Sequence, residues 1–256
     1  MDTGTANRYN VSVTSPSAVP PEIPPVLESS SRPQESRRLR YFELGLVLLV
    51  AFSRSFIGSL SRFIQGQNTE PVFTAAGWVS GVVSELTALL LLGYVLYRQG
   101  RRFRDLGLNF SAKQWATGFW LGVVAYSVAS GGAMLMQFMH RAMYGTAVPR
   151  MGIGYWAHAG FASIPASMLA PIFEELIVRA YLMTEIMELT GSAALAVAVS
   201  VLIQTSYHLY YGWYGALHLG FFFLVLALYF AKSRLALPGI LAHGLLNVLA
   251  LSMRLR

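Results

Sequence analysis

The sequence contains no cysteine and little charge. Of its 256 residues, only 12% are Asp, Glu, Lys or Arg, and 55% are hydrophobic, whereas an average soluble domain carries roughly 25% charged residues. Without cysteine, the chain has no disulfide framework, thiolate nucleophile or cysteine metal ligand, so a catalytic site must use oxygen and nitrogen groups. The mean hydropathy of +0.50 indicates a membrane protein.

Aspartate is almost absent, and so are the common hydrolase motifs. The only aspartates are Asp2 and Asp105, and neither H-E-x-x-H nor G-x-S-x-G occurs in the sequence. These two motifs mark zinc-protease helices and serine-hydrolase nucleophile elbows. Aspartyl, serine and standard zincin mechanisms of intramembrane proteolysis are therefore disfavoured.

The first 36 residues differ from the rest in composition. They are rich in Pro and Ser and are predicted to form a disordered tail. A signal peptide is not expected, because the first apolar run begins only after Arg37, Arg38 and Arg40. The net charge of +7 comes from arginines at the ends of apolar runs. The basicity therefore indicates membrane topology, and no nucleic-acid partner is expected.

Apolar runs recur from Tyr41 onward, with lengths near the roughly 20 residues that cross a bilayer as a helix. Inside lipid every backbone polar group must be paired internally, so these runs are predicted to be helical. Residues 37–256 are therefore predicted to form an all-α, polytopic transmembrane helical bundle with seven or eight spans, of which the fourth candidate is one long bent helix or two short ones. The candidates are Tyr41–Leu60, Phe73–Tyr97, Trp115–His140, Tyr155–Met187, Gly191–His208, Trp213–Ala231 and Leu235–Met253.

Two basic clusters predict the orientation. The first precedes the first span at residues 37–40, and the second follows the second span at Arg98–Arg104. Because two spans separate the clusters, both are expected on the same side of the membrane, which the positive-inside rule assigns to the cytoplasm. This predicts a multi-pass protein with a cytoplasmic N-terminus, an external loop at residues 141–153, and cytoplasmic Lys232 and Arg234. In a bacterium the expected location is the plasma membrane.

Two adjacent acids interrupt the apolar stretch APIFEELIVRAYL. Removing a carboxylate from water costs several kcal/mol unless it is protonated, paired or wetted, so these acids indicate function. Glu175 and Arg179 are four residues apart and share a helix face, whereas Glu174 is turned about 100° away. Glu175 is therefore predicted to orient the helix through Arg179, leaving Glu174 free to handle protons. The alternative is an interfacial helix with its charged face in water.

Two later apolar segments contribute His208 and the pair His243 and Asn247, which are four residues apart. Taken alone, His208 is compatible with an interfacial side chain, and the pair His243 and Asn247 is compatible with a helix–helix hydrogen bond. Together with the acids, they can activate water. A carboxylate and an imidazole can deprotonate it, or both can hold Zn²⁺ with one open position, while an amide or imidazolium stabilises the oxyanion. Both routes hydrolyse an acyl bond.

The other polar residues of the apolar runs are interpreted as structural. Four acids lack a matching His or Arg motif and are predicted to lie near helix ends or in local pairs: Glu43, Glu85, Glu185 and Glu188. Three histidines are interpreted as a helix-packing residue, His218, and two interfacial residues, His140 and His158.

At three segments the chain resembles the CPBP family of CAAX proteases and bacteriocin-processing enzymes, also called the type II CAAX prenyl endopeptidase-like or Abi family. The resemblance covers roughly residues 110–253. The second family motif has an aromatic residue four positions before His, where this chain has Gln204, which is interpreted as a packing neighbour of His208. The three motifs correspond to Glu174, Glu175 and Arg179; to Gln204 and His208; and to His243 and Asn247.

The resemblance implies an α-helical peptidase with a cavity inside the membrane. It implies that Glu174 and His208 activate water, and that His243 and Asn247 stabilise the oxyanion or help to bind a metal. The family allows a metal route, with Zn²⁺ held by Glu174, His208 and His243, and a metal-free glutamate route. The implied partners are the lipid bilayer and a peptide or membrane-protein substrate, prenylated in the eukaryotic precedent and cleaved near the membrane surface.

Two other functions are compatible with the same residues. A non-catalytic membrane scaffold or immunity-type protein could use this fold, because a family resemblance does not establish turnover. Intramembrane carboxylates also act as proton relays in transporters. The absence of a repeated pair of broken helices in the sequence counts against a transporter.

Overall fold

The computed structural model describes Met1 and residues 37–65, 74–148 and 163–252. The predicted tail, His158 and the beginning of the Tyr155–Met187 candidate lie outside the described residues. The chain divides into two units, Met1–Gln34 and Glu35–Arg256. Every regular element of the described residues is helical and belongs to the second unit. This confirms the predicted all-α class.

Seven helical segments make up the described part of the chain. The first three are α1 (Arg37–Ile64), α2 (Ala75–Arg98) and α3 (Ala112–Tyr144), with a 3₁₀ turn at Phe103–Leu106 before α3. The fourth consists of α4 (Ser163–Glu174), a π-helical stretch called the π segment (Glu175–Met183) and α5 (Thr184–Thr190). The last three are α6 (Ala193–Tyr207), α7 (Gly212–Ser233), which a 3₁₀ turn at Leu209–Tyr211 precedes, and α8 (Leu237–Ser252).

Local sequence signals set several helix boundaries. The Thr74 and Ser192 hydroxyls each accept a hydrogen bond of 3.1 Å from a backbone N–H of the first turn that follows, as N-cap residues do. At the other end, Gly191 stops α5 in the left-handed conformation, with φ of 74°, which glycine adopts at no steric cost. The sharp corner between α5 and α6 is therefore encoded by two neighbouring residues.

The helices differ in their ability to cross a membrane. Within the described residues, α1, α2, α3 and the stretch Leu209–Ser233 are long and apolar enough to do so. The apolar helices α6 and α8 have only 15 and 16 residues, which is below the roughly 20 residues of a full crossing. At 1.5 Å per residue, α6 is only about 22 Å long, which is shorter than a hydrocarbon core of about 30 Å.

The two basic clusters meet at one end of the bundle. Arg40 of α1 and Arg101, between α2 and α3, lie 2.8 and 2.7 Å from the two carboxylate oxygens of Glu185 in α5. Arg37 donates a hydrogen bond of 2.6 Å to the Leu189 carbonyl. We call this cluster the charged end. Both basic clusters therefore share one side of the bundle, and the assignment of that side to the cytoplasm stays a prediction.

The four acids that were interpreted as structural fall into two groups. Glu43, Glu185 and Glu188 lie near helix ends and pair with arginines distant in sequence; Glu43, for example, lies 2.6 Å from Arg98. The prediction that all four acids lie near helix ends or in local pairs is wrong for Glu85, which lies in the middle of α2.

Small residues bring α3 close to α8. Gly118, Gly122, Ala125 and Ala129 are buried along one face of α3. A Cβ atom added to Gly118 would lie 2.7 Å from the Cβ atom of Leu241, so the two helices touch through their backbones there. Such small-residue faces allow close packing of helices in lipid. This contact fixes the face that α8 turns toward the π segment.

Candidate active site

The two adjacent acids lie at the junction where α4 becomes the π segment. All nine residues of the π segment are buried. Short π-helical stretches inside α-helices are rare and often occur at functional sites. Although Glu174 and Glu175 are neighbours in sequence, their carboxylates contact different helices, since Glu174 contacts α6 and Glu175 contacts α8.

Glu175 forms the centre of a buried charge cluster. Its Oε1 atom lies 3.2 Å from Arg179 Nη1 and 3.0 Å from His243 Nδ1. The Arg179 guanidinium lies 5.0 Å from the centre of the Phe223 ring, a cation–π contact. Glu175 and Arg179 are each 1% exposed. The i, i+4 pair expected from the sequence is present, and it extends to His243 on α8.

Glu174 is held by α6 through two hydrogen bonds. The Tyr207 hydroxyl donates to Oε2 at 2.5 Å, and the Gln204 side-chain amide donates to the same oxygen at 3.1 Å. Within the described residues, no arginine, lysine or histidine forms an ion pair with Glu174. The carboxylate is therefore fixed in position without a neutralising cation, and its Oε1 atom receives no hydrogen bond from the described part of the chain.

The interpretation of Gln204 as only a packing neighbour of His208 is wrong, because its amide binds the Glu174 carboxylate. Tyr207 was missed altogether. The sequence contains a signal for it: Gln204 and Tyr207 are three residues apart at the end of α6 and therefore share a helix face. Finding it required knowing which helix lies opposite Glu174.

His208 follows the last residue of α6 and lies among aromatic rings. Its ring centre is 4.6 Å from that of Tyr207 and 5.2 Å from that of Phe223. Its Nδ1 atom is 2.7 Å from the Gln204 carbonyl oxygen. Because a carbonyl only accepts hydrogen bonds, this contact assigns the proton of the neutral ring to Nδ1. Nε2 is then the basic nitrogen.

The second histidine lies against the same aromatic ring. The Phe223 ring centre is 5.6 Å from that of His243 and 5.2 Å from that of His208. The structure therefore brings Glu174, Glu175 and the two histidines together around the π segment and Phe223.

Asn247 has a different neighbour. Its side-chain amide donates to the backbone carbonyl of Ser167 in α4 at 3.2 Å. Pro171, four residues later, has no N–H, so the Ser167 carbonyl lacks its usual helical donor. Asn247 supplies that donor about 10 Å along α4 from Glu174. In this conformation it ties α8 to the proline site of α4, and its role at an oxyanion stays a prediction.

The proposed zinc ligands do not form a metal-binding group. In residues 37–65, 74–148 and 163–252, no three His, Asp or Glu side chains approach closely enough to share an ion. The two histidines do turn Nδ1 toward a carbonyl and a carboxylate, as metal-bound histidines do. In this conformation Glu174, His208 and His243 do not converge as the three donors of a catalytic zinc site do, and zinc binding at this site stays a prediction.

Comparison with known proteins gives one match. Residues 156–249 match the family model of the type II CAAX prenyl endopeptidases, Rce1-like. The matched region contains all three polar motifs, covers less than half of the chain and confirms the resemblance seen in the sequence. No curated protein and no solved structure matches the chain significantly. The apolar helices and this match together indicate an integral membrane protein whose residues 156–249 are similar to type II CAAX prenyl endopeptidases.

Removing one member of the buried charge cluster tests its structural role. We expect Arg179→Met to lower the free energy of unfolding by about 3–5 kcal/mol, because buried Glu175 loses its guanidinium partner and keeps only the His243 ring. Adding Glu175→Gln should recover part of the loss. Denaturation in sodium dodecyl sulfate, monitored by circular dichroism, measures the free energy of unfolding of the single and the double variant.

Arg104→Met is the matched control, because the Arg104 side chain is 70% exposed and surface ion pairs contribute little. A loss in Arg179→Met no larger than in this control would contradict the assignment.

Proposed function

We propose that the protein is an intramembrane endopeptidase that hydrolyses a peptide bond with a water molecule activated by Glu174 and His208. One observation carries the proposal. Glu174 lacks a cation partner among the described residues and is anchored through one oxygen by Gln204 and by Tyr207, whose ring centre lies 4.6 Å from that of His208. A buried carboxylate that only stabilised the fold would be paired, as Glu175 is.

The depth of the site supports cleavage inside the membrane. Glu174 precedes Glu185, which lies at the charged end, by eleven residues of one continuous helical stretch. Nine of these residues are π-helical and rise less than the 1.5 Å per residue of an α-helix, so the distance is at most about 16 Å, up to about half of a hydrocarbon core of about 30 Å. A charged group at that depth is costly and marks function by default. The proposed scissile bond accordingly lies below the membrane surface, deeper than the sequence alone suggested.

The proposed chemistry assigns the water proton to the Glu174 and His208 pair. Oε1 of Glu174 and Nε2 of His208 receive no hydrogen bond from the described part of the chain, so both atoms can accept a proton. As one of them takes a proton from water, the hydroxide attacks the peptide carbonyl carbon. Charged His243, oriented through Nδ1 by Glu175, donates from Nε2 to the developing oxyanion. Glu175 and Arg179 keep His243 in place.

We expect Glu174→Gln and His208→Ala each to lower kcat by roughly 10²- to 10⁴-fold, because each removes a proton acceptor. The measurement is cleavage of a farnesylated CAAX peptide by purified protein in detergent. Glu188→Gln is the matched carboxylate control, since Glu188 is 46% exposed at the charged end, and His140→Ala is the histidine control.

Wild-type cleavage that persists unchanged in both variants would reject the assignment. If neither the wild type nor any variant cleaves the peptide, and substitutions of lipid-facing residues abolish the effect of the protein in cells, the protein is a scaffold that uses this fold. Uptake into proteoliposomes that depends on Glu174 would instead indicate a transporter.

Of the two routes left open by the sequence, we propose the metal-free one, because Glu174, His208 and His243 do not converge as zinc ligands. We expect elemental analysis of active protein to find far less than one zinc per chain, and o-phenanthroline to leave kcat unchanged. Stoichiometric zinc that is removed together with the activity would establish the other route.

An apolar groove suggests how a substrate enters. It lies between α1 and α6, has a volume of about 460 Å³ and is lined mainly by apolar side chains, among them Phe52, Phe56 and Ile203. Tyr207, whose hydroxyl binds Glu174, also lines it. We propose that the apolar part of the substrate, a prenyl group or an apolar side chain, occupies this groove next to the reacting bond.

Narrowing the groove should weaken substrate binding. Gly45 lines the groove, and a Cβ atom there would meet no atom within 4 Å. We therefore expect Gly45→Leu to raise KM by about tenfold with little change in kcat or thermal stability. Gly58→Leu is the matched control, because Gly58 is equally open, lies on the same helix and does not line the groove. Equal KM values for the two variants would contradict the groove assignment.

A further inference from the structure

Glu85 is a second unpaired acid at membrane depth. It lies in α2 within the apolar run VVSELTALLLL. Its helix face also carries three buried residues: Trp78, seven positions before it, and Ala88 and Leu92, three and seven positions after it. Ala88 and Leu92 belong to the same core cluster as Phe173, the residue before Glu174. Glu85 is therefore turned toward the centre of the bundle.

One oxygen of the Glu85 carboxyl has no hydrogen-bond partner in the described structure. This atom, Oε2, is shielded from solvent and forms no hydrogen bond. Helix α2 packs against α1 and α4, and two arginines of the neighbouring segments are engaged elsewhere. Arg54 of α1 is exposed and donates to Ser80 at 2.6 Å, while Arg179 is bound by Glu175. A shielded carboxyl oxygen without a hydrogen-bond donor is costly, which makes Glu85 a candidate for a function.

Glu85 and Glu174 lie at similar depths. Glu85 precedes Arg98 by thirteen residues and Glu174 precedes Glu185 by eleven, which corresponds to about 20 Å of α-helix and, because most of the second stretch is π-helical, to at most about 16 Å. Arg98 and Glu185 both lie at the charged end, since Arg101, three residues after Arg98, binds Glu185 at 2.7 Å. Helices α2 and α4, which carry the two acids, pack against each other. The two acids thus approach each other from adjacent helices.

Two carboxyl groups that approach each other in a poorly solvated site share one proton, because both cannot be ionised together at low cost. Glu174 accepts two hydrogen bonds at Oε2, which favours its ionised form. Glu85 accepts none at its shielded oxygen. The shared proton therefore belongs on Glu85.

We propose that Glu85 is a further catalytic residue, the general acid that protonates the leaving amine while Glu174 acts as the base. This inference rests on the proposed function. In the first step, Glu174 takes a proton from water, and the new C–O bond gives a tetrahedral intermediate. In the second step, the C–N bond breaks, and the nitrogen takes the proton of Glu85. The proton on Glu174 then passes to the Glu85 carboxylate, which restores the starting state with water as the only co-reactant.

The test compares Glu85→Gln and Glu85→Leu with the wild type. Cleavage of the farnesylated CAAX peptide is measured as kcat and KM, thermal stability is measured in the same detergent, and the infrared band of protonated carboxyl groups is recorded at neutral pH. We expect Glu85→Gln to lower kcat about 10²-fold, to leave KM and the melting temperature nearly unchanged, and to remove the protonated-carboxyl band. Glu85→Leu should be equally inactive and no less stable.

Two controls separate this role from packing. Thr87→Val alters an exposed residue of α2 whose hydroxyl donates only to a backbone carbonyl of the same helix. This variant should change none of the readouts. Glu188→Gln should leave the protonated-carboxyl band intact, because Glu188 is paired with Arg40.

Wild-type kcat in Glu85→Gln, or a band that survives the substitution, overturns the proposal. A fall of kcat and melting temperature together in both Glu85 variants also overturns it, since that result describes a structural residue. The outcomes are distinct from failure of the proposed function. If the wild type does not cleave, the infrared comparison still decides whether Glu85 holds the proton.

Discussion

The ion pair between Glu175 and Arg179 is the interaction on which the rest of this structure depends. Both side chains are enclosed by the bundle, where separated charges are far more costly than in water. The pair must therefore stay intact, and its partners are held with it. His243 is fixed on α8 through Glu175, and Phe223 is fixed on α7 through Arg179. Three helical segments are positioned by one carboxylate and one guanidinium.

The π segment makes two neighbouring acids chemically different. Glu175 lies inside it and is neutralised by a cation, whereas Glu174 lies immediately before it and accepts hydrogen bonds from uncharged groups of α6. A neutralised acid is suited to hold a histidine, and an acid without a cation is suited to accept a proton. The aromatic rings around His208 limit water access to this site, which strengthens electrostatic interactions there.

Several features of the site were predictable because they depend on residues close in sequence. The contact of Glu175 with Arg179 follows from helical spacing, and the shared face of His243 and Asn247 follows in the same way. The hydrogen bonds of Glu174 were not predictable, because Gln204 and Tyr207 lie 30 and 33 residues away. Asn247 shows a third case. Its pairing with Ser167 depends on the proline at position 171 and on the packing of α8 against α4.

The sequence by itself determined the helical class, the approximate helix positions and the identity of the polar residues that lipid would not tolerate without a reason. These properties follow from local composition, since apolar runs and cap residues act within a few positions. Only the tertiary structure decided which polar groups meet. It paired Glu175 with His243 and gave Glu174 its two donors, because distances between helices depend on small residues such as Gly118 that let backbones touch.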